Sequence, residues 1–374
     1  MKTMNGKHSF ANIMIDQIDE TTESQIQTFL DHPAFKNTYI AVMPDCHAGK
    51  GAVIGFTMKM NDYVIPNVVG VDIGCGMTMG RFETKDVDLA KLDAFIKQSI
   101  PHGFSINQKA VAQDVEFIDR FDGTCRKIDI DPDKALRGLG SLGGGNHFIE
   151  AGRDQNGKLC VTIHSGSRNF GLRVADYFQN KAKDRMKDYF IGDQYKDLEF
   201  LPSSDNEFYW YMQSLYVAQE FADRSRKEML SRIAGFLGQD PSDVIVSTHN
   251  FIDPEDQIIR KGATPAREGQ DVIIPFNMRD GIALCKGKGS KKYNFSAPHG
   301  AGRILSRRKA KEKLSAEAFV QDMKDSGIYT TTACASTLDE SPEAYKDMQV
   351  ILDNIEETVT VSELIKPIYN FKSK

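Results

Sequence analysis

Three histidines occupy similar positions in the sequence, each after a short apolar run. His164 follows such a run in LCVTIHSGSR, His249 follows DVIVST, and His299 follows YNFSAP. Short runs rich in β-branched residues are typical of strands, so each histidine is predicted to lie at a strand end. Side chains from distant parts of a chain can converge where strand ends share one edge of a sheet. One such histidine alone is more often structural, but the repetition of the pattern favours a common site.

A second group of residues combines a carboxylate, a thiol and an imidazole with neighbouring glycines. Asp72 and Cys75 lie in VGVDIGCGM, and His147 follows a run of glycines in GSLGGGNHFIE. Glycine permits tight turns and close approach of the backbone, which would let these side chains point at one centre. Carboxylate, thiolate and imidazole ligands favour a transition metal such as Mn, Fe, Co or Zn over Ca or Mg alone. The spacing does not choose among the four.

The number of candidate ligands bears on the chemistry. Five ligands exceed what one tetrahedral ion with an open position uses, so two ions that share a ligand fit better, and Cys75 is the natural bridge. Two adjacent cations would neutralise phosphoryl oxygens and activate an attacking group. This arrangement favours phosphoryl or nucleotidyl transfer.

The usual nucleotide-binding and ligase motifs do not account for such a transfer. The sequence contains no GxxxxGK[ST] and no KxDG, and its one GxGxxG, at residues 138–143, follows DPDKALR rather than a strand. A covalently carried nucleotide would therefore need another nucleophile, and a neutral imidazole can serve when its tautomer is fixed. His299 fits this role because the small residues GAG follow it and leave room for a phosphate.

A basic segment extends on both sides of this histidine. Residues 286–313 contain ten lysines and arginines and one acid, Glu312, in a chain with a formal net charge of -5. Overall charge therefore does not favour nucleic-acid binding, and any such contact must be local. The basic residues could hold a nucleic-acid backbone. The alternative is a solvated helix face with a basic loop.

The elements that position these groups are predicted from the spacing of apolar residues. The 374 residues include 40% hydrophobic residues and no repeat or linker, which predicts a single catalytic domain over residues 1–374. The first third is rich in β-branched residues and glycines, typical of short strands and turns. Residues from about 172 to 237 have helical spacing and are predicted to form a helical insertion. The predicted class is mixed α/β (α+β) with a β-rich catalytic core.

Composition also suggests a location. No stretch approaches the roughly 18 apolar residues of a membrane-spanning helix, and the segment MKTMNGKHSFANIMIDQIDE has no apolar centre typical of a secretory signal. We expect a cytoplasmic protein with no membrane partner. The six cysteines form no CxxC pair and are expected to be free thiols.

Several of these segments resemble the RtcB family of RNA-splicing and RNA-repair ligases. The resemblance rests on MPDCHAGKG, GVDIGCGM, LGGGNHFIE, HSGSR, THN, RKGAT, SAPHGAGR and DESPEAYKD, which occur in a consistent order from about residue 40 to the C-terminus. It implies a fold largely specific to that family, two manganese ions, and GTP as the nucleotide.

The resemblance also implies a set of metal ligands. Asp72 and His147 would bind one manganese ion, and His164 and His249 would bind the other. Cys75 would bridge the two ions.

For the nucleotide, the resemblance implies that His299 accepts GMP and that Arg168 in HSGSR is an active-site arginine. Glu150 and Lys372 would read the guanine. The full set of implied guanylate contacts is Asn146, Phe148, Glu150, Asn250, Gly300, Ala301, Gly302 and Lys372.

The implied reaction has three steps. GTP guanylylates His299, GMP is transferred to an RNA 3'-phosphate, and an RNA 5'-hydroxyl then attacks with release of GMP. A 2',3'-cyclic phosphate would first be opened. The implied partners are GTP and RNA with these ends, and the sequence identifies no activator protein.

Two other functions are compatible with the same residues. A two-metal phosphoesterase would act on RNA ends without ligation and would form no adduct on His299. A non-catalytic RNA-binding relative would keep the fold alone. The presence of every expected ligand and of the nucleophile argues against the non-catalytic relative, and an adduct on His299 would distinguish the ligase from the phosphoesterase.

One segment departs from the family pattern. The chain has IPFNMRDGIALCKGKG where the family usually has IPGSMG and small polar residues, so Phe276 and Arg279 replace smaller residues near the expected guanylate. We expect a divergent branch of the family, and Arg279 could supply a phosphate contact. Asp45 and His47, in MPDCHAGKG, are expected to contact and orient the residues that bind the ligands, without binding a ligand themselves.

Overall fold

The computed structural model of the protein describes residues 2–187 and 193–373. Strands in these residues are β1 (Lys2–Asn5), β2 (Phe10–Ile13), β3 (Tyr39–His47), β4 (Ile54–Lys59), β5 (Tyr63–Val64), β6 (Gly76–Phe82), β7 (Phe148–Arg153), β8 (Leu159–Ser165), β9 (Leu201–Pro202), β10 (Asp243–Thr248), β11 (Asn250–Ile252), β12 (Ile258–Lys261), β13 (Ala263–Pro265), β14 (Asp271–Pro275), β15 (Ile282–Gly287), β16 (Ser296–Pro298) and β17 (Val359–Lys372).

The α-helices are α1 (Glu20–Leu30), α2 (Pro66–Val69), α3 (Leu89–Ser99), α4 (Val115–Lys127), α5 (Pro132–Leu136), α6 (Arg168–Met186), α7 (Asn206–Leu237), α8 (Arg307–Lys313), α9 (Ala316–Asp325) and α10 (Met348–Leu352). Short 3₁₀ helices lie at Pro33–Phe35, Asp193–Tyr195, Lys291–Tyr293, Ala335–Glu340 and Pro342–Ala344. The mixture of helices with a strand-rich core confirms the predicted mixed α/β class.

A seven-stranded antiparallel sheet lies at the centre of the fold. Its strand order is β10-β6-β8-β7-β17-β15-β14. The sheet curls until its two edge strands meet, and the backbone N–H of Ile273 in β14 lies 3.5 Å from the Ser247 hydroxyl of β10. Apolar side chains from both halves, including Met77 and Leu284, fill the interior of the curl. This closure brings the end of strand β10 close to the end of strand β17.

A six-stranded sheet supplies the other side of the site, with strand order β1-β2-β3-β4-β12-β11. Strands β2 and β3 are parallel, and the other neighbouring pairs are antiparallel. In β3 the pairing with β4 shifts register between Val42 and His47. Such an irregularity redirects the side chains of the bulged strand, and Asp45 lies within it.

Helices α6 and α7 pack against each other, and α7 also packs on β6 and β8. Helix α7 is 32 residues long, begins with the Asp205 side chain accepting from the backbone N–H of Glu207, and ends at Gly238 in the left-handed conformation. Both helices fall in the region predicted as a helical insertion, of which residues 188–192 lie outside the described residues. The division of the chain into one domain with an insertion stays a prediction.

The first third contains more helix than its sequence suggested. Helices α1 and α4 were not predicted there, because their apolar faces are narrow. In α4 the buried positions are Phe117, Phe121 and Cys125 with Thr124, a spacing of four within an otherwise polar segment. Each of these helices covers a core cluster through a few large side chains.

Two other expectations concern the whole chain. Among the described residues, none of the helices combines the length and the apolar character needed to cross a lipid bilayer. The six cysteines are free in the structure, as the sequence predicted.

Arg226 in the middle of α7 is fully buried and ties the helix to the sheet. Its Nη1 donates to the carbonyls of Gly74 and Ser165, each at 2.8 Å. Its Nε donates to the Thr78 hydroxyl at 3.2 Å. Because Gly74 precedes β6 and Ser165 ends β8, one guanidinium holds together two strand ends that border the site.

We expect Arg226→Met to lower the free energy of unfolding by roughly 2–5 kcal/mol, because it leaves two buried carbonyl groups without a hydrogen-bond donor. Arg224→Met is the matched control on the same helix. Arg224 is partly exposed and pairs with Asp114 and Glu220, so its loss should cost less than about 1 kcal/mol. Urea unfolding of both variants measures the difference, and equal destabilisation would contradict the role assigned to Arg226.

Candidate active site

Four candidate ligands lie where strands of the central sheet begin or end. Cys75 immediately precedes β6, and His147 immediately precedes β7. His164 is the penultimate residue of β8, and His249 follows β10. Strand β6 pairs with both β8 and β10, and β8 pairs with β7, in a register that sets these ends side by side. The sequence prediction that strand ends would gather these residues therefore agrees with their positions.

The five residues predicted as metal ligands form a continuous series of contacts. The Asp72 carboxylate Oδ2 lies 2.8 Å from His147 Nε2, which lies 3.4 Å from Cys75 Sγ. On the other side, Cys75 Sγ lies 3.3 Å from His164 Nε2, which lies 3.2 Å from His249 Nε2. The sulfur is thus central, with two donor groups to each side. The ligand atoms of Cys75, His147 and His164 lie close enough together that these three residues alone could hold a metal ion.

Two histidines of this cluster, His164 and His249, are in the neutral form that a metal requires. His164 Nδ1 lies 3.1 Å from the Asn146 carbonyl, which places the ring proton on Nδ1 and the Nε2 lone pair toward the cluster. Burial, and then the neighbouring histidines, hold the pKa of His164 well below its ordinary value. Burial also lowers the pKa of His249, with His299 adding to the effect. Neutral imidazoles with inward lone pairs fit a cation site.

The two acidic groups respond differently to burial. Burial raises the pKa of the Cys75 thiol well above its ordinary value, and the Asp72 carboxylate raises it further. Burial also opposes ionisation of Asp72, but the charge and hydrogen bond of His147 keep its pKa below the ordinary value. A bound cation would favour the thiolate in this setting. The donor set therefore fits a thiolate-containing transition-metal centre.

Glycine is required at two positions beside the cluster. A Cβ on Gly166 would lie 2.0 Å from Asp72 Oδ1, and a Cβ on Gly143 would lie 1.9 Å from His147 Nδ1. No side chain fits at either distance. The glycines in HSGSR and LGGGNHFIE therefore make room for the ligands themselves.

His299 stands next to the cluster and is held by Asp45. Its Nδ1 lies 2.6 Å from Asp45 Oδ2, and its backbone N–H donates to the same oxygen at 3.3 Å. The ring centroids of His299 and His249 are 4.8 Å apart. Because the fully buried Asp45 accepts the Nδ1 proton, the Nε2 lone pair of His299 is available for reaction. The sequence predicted only a supporting position for Asp45.

His47 supports the site from the same strand. Its Nδ1 lies 3.0 Å from the Asp45 carbonyl oxygen, and burial lowers its pKa. It also lines the cavity in front of His299.

That cavity has a volume of about 280 Å³, and four of the five predicted metal ligands, all except His147, line it together with the predicted nucleotide residues. Small-molecule pockets have volumes of roughly 300–1,000 Å³. Its wall includes every residue predicted to contact the guanylate: Asn146, Phe148, Glu150, Asn250, Gly300, Ala301, Gly302 and Lys372. Phe276, from the segment that departs from the family pattern, also lines it.

Glu150 is a buried carboxyl group with one oxygen in use. Oε2 accepts from Asn370 Nδ2 at 2.9 Å, and Oε1 has no hydrogen-bond partner among the described residues. Burial raises its pKa to about 8, against the opposing effects of Asn370 and Lys372. An unused buried oxygen suits a ligand that brings N–H donors.

Glu340 is a site residue to which the sequence assigned no role. It is almost completely buried, and its carboxylate accepts from Arg307 Nη1 at 2.7 Å, Lys372 Nζ at 2.8 Å and Tyr345 Oη at 2.6 Å. Burial opposes its ionisation, but the neighbouring cations keep its pKa below the ordinary value. Glu340 lies in DESPEAYKD, so the motif itself was the available signal.

The basic segment divides into two parts. Arg303 and Arg307 line the cavity and both bind Glu340. Other members pair with acids outside the cavity, for example Lys286 with Asp271. One part of the segment therefore lies at the cavity and another part on the surface, and the predicted contact with a nucleic-acid backbone stays a prediction.

Two predicted arginines lie elsewhere. Arg168 does not line this cavity, and its guanidinium donates to the Ser141 hydroxyl and the Gly103 carbonyl. Arg279 also lies outside the cavity wall, and it pairs with Asp280 and Asp322. Two nearby carboxylates hold the Arg279 guanidinium in this structure, and its expected phosphate contact stays a prediction.

Comparison of the sequence with known proteins found one family and several relatives. A family model described as tRNA-splicing ligase RtcB matches residues 25–373. The RNA-splicing ligase RtcB of Escherichia coli K12 is 31% identical, over 89% of this chain and 88% of the relative. The RNA-splicing ligase RtcB of Mycobacterium tuberculosis is 28% identical, over 83% of this chain and 91% of the relative. The tRNA-splicing ligase RtcB of Pyrobaculum aerophilum is 26% identical, over 83% and 82%.

Proposed function

Because the chain belongs to the RtcB family, we propose that it is an RNA ligase that uses GTP and two manganese ions and carries GMP on His299. It would join RNA 3'-phosphate or 2',3'-cyclic phosphate ends to 5'-hydroxyl ends. The observation that carries the proposal is the position of His299, which is oriented by Asp45 and lies beside a cluster of thiol, carboxylate and imidazole groups.

The contact series suggests how two ions would be held. Asp72 and His147 lie to one side of Cys75, and His164 and His249 lie to the other. Each pair would hold one ion, and the Cys75 thiolate would be shared. When bound, the ions supply positive charge that stabilises phosphoryl oxygens during transfer.

His299 would act as the nucleophile toward the α-phosphorus of GTP. Asp45 holds the proton at Nδ1, so that Nε2 forms the bond to phosphorus while pyrophosphate leaves. The Asp45 carboxylate also stabilises the positive charge that develops on the ring. An RNA 3'-phosphate oxygen then attacks the same phosphorus and releases His299, and the RNA 5'-hydroxyl finally displaces GMP.

The far end of the cavity would recognise guanine. The free oxygen of Glu150 can accept hydrogen bonds from the N–H groups of the base once the carboxyl is ionised. Lys372, held by Glu340 over the Phe148 ring, has its ammonium 5.1 Å from the ring centroid. Arg303 and Arg307 also line the cavity, and both form ion pairs with Glu340.

Incubation with labelled GTP and manganese tests the nucleophile. We expect an acid-labile adduct on the wild-type protein and none on His299→Ala. Asp45→Asn should retain bound manganese but form the adduct roughly 10²- to 10⁴-fold more slowly, because the asparagine no longer fixes the reactive tautomer. Release of phosphate from RNA ends without any adduct would instead identify a phosphoesterase.

Manganese stoichiometry tests the shared thiolate. Cys75→Ala should weaken binding of both ions, whereas Asp72→Asn and His249→Ala should each weaken one, since they lie on opposite sides of the sulfur. Metal content after dialysis, together with calorimetric titration, measures this. Loss of a single ion from Cys75→Ala would refute the bridging role.

The pH dependence of nucleotide affinity tests Glu150. Its pKa of about 8 means that the carboxyl is largely neutral at pH 6 and must lose its proton to accept from guanine. Affinity for a non-hydrolysable GTP analogue should therefore rise with pH, by up to about tenfold per unit, and level off above pH 8. Glu150→Gln should bind more weakly with a much flatter profile. A wild-type profile as flat as that of the variant would count against guanine recognition by this residue.

A further inference from the structure

A second cavity, of about 900 Å³, adjoins the candidate active site. The glycine loop at residues 143–145 forms part of the boundary, since Gly143 packs against His147 while Gly144 and Gly145 line the second cavity. Arg168 also lines this cavity, and it contributes positive potential at Asp72. The two spaces are therefore separated by one thin layer of the protein.

Phe104 lies in the wall of the second cavity at the tip of a turn, and its side chain is fully exposed. The backbone N–H of Ser105 donates to the His102 carbonyl at 3.1 Å, and Gly103 has a φ of +65°. The turn is fixed from below, because Arg168 donates to the Gly103 carbonyl and the Gly103 N–H donates to the Leu142 carbonyl. A single exposed aromatic is ordinary, but the backbone that carries this ring is held at the cavity by Arg168 and Leu142.

The same cavity carries exposed positive charge. Lys134 and Arg173 line it, and within the described residues neither side chain makes an ion pair or hydrogen bond. The wall contains one acid, Asp131, whose carboxylate accepts from the backbone N–H of Lys134 at the start of α5. Unpaired cations around an exposed aromatic form the combination that binds single-stranded nucleic acid, through phosphate contacts and base stacking.

We propose that this cavity binds a single-stranded segment of the substrate RNA, with one base stacked on Phe104 and the adjacent phosphates near Lys134 and Arg173. The inference rests on the proposed ligase function and deepens it, since it places RNA next to the metal cluster. Two features support RNA as the occupant: the cavity adjoins the site where RNA ends would react, and its free charges complement phosphates. Stacking is tolerant of sequence because every base has an aromatic face.

Fluorescence anisotropy with a labelled single-stranded RNA 12-mer, bearing a 5'-hydroxyl and a 3'-phosphate, tests the proposal. Binding to the full-length protein is measured with manganese and without GTP, so that no ligation occurs. Phe104→Ala should weaken binding by roughly five- to a hundredfold, and Phe104→Trp should restore it. Tyr209→Ala is the matched control, since Tyr209 is an exposed aromatic outside the cavity. Lys134→Ala and Arg173→Ala should each reduce the slope of log affinity against log salt by about 0.7.

Labelling of His299 by GTP, measured on the same preparations, separates this inference from the proposed function. Phe104→Ala should label like the wild type, which also shows that the variant is folded. Normal RNA affinity in Phe104→Ala, or an equal loss in Tyr209→Ala, would overturn the RNA subsite while leaving the ligase proposal intact. If the wild type binds RNA through Phe104 but forms no adduct, the subsite stands and the GTP-dependent mechanism fails.

Discussion

The burial of one thiol between two histidine nitrogens is the constraint on which the site depends. Cys75 lies between His147 and His164, whose nitrogens approach its sulfur to within 3.4 and 3.3 Å. The electrostatics of this cluster favour a cation and disfavour a free thiolate. Much of the surrounding architecture serves to hold these groups at short range: antiparallel register sets the strand ends, Gly143 and Gly166 make room for the ligands, and Arg226 fixes the backbone behind them.

Charge is arranged differently at the two ends of the cavity. At the metal end, the Asp72 carboxylate and the neutral rings of His164 and His249 can accept a cation. At the other end, Glu340 is surrounded by Arg303, Arg307 and Lys372, so that cations are held at the wall before any nucleotide arrives. A nucleotide would thus meet positive potential from both directions once metal is present. Preorganised charge of this kind lowers the cost of reorganisation during phosphoryl transfer.

The sequence predicted the mixed α/β class, the family, and the group of candidate ligands, because each of these leaves a local signature. An apolar run followed by a histidine, as at His164 and His249, marks a strand end without knowledge of the partner strands. Contacts that depend on register or on distant loops left no such signature. Asp45 lies in the bulge of β3 and contacts His299. Arg279 forms ion pairs with two carboxylates outside the cavity wall. The roles of the individual ligands stay predictions, although their positions agree with them.

The position of β17 in the chain determines when the site can form during synthesis. Lys372 and Asn370 near its end complete the cavity wall, and the strand lies between β7 and β15 in the middle of the central sheet. A chain still being translated therefore lacks a central strand and two residues of the cavity wall until residue 372 has left the ribosome. The cavity is consequently completed only after synthesis has passed that point.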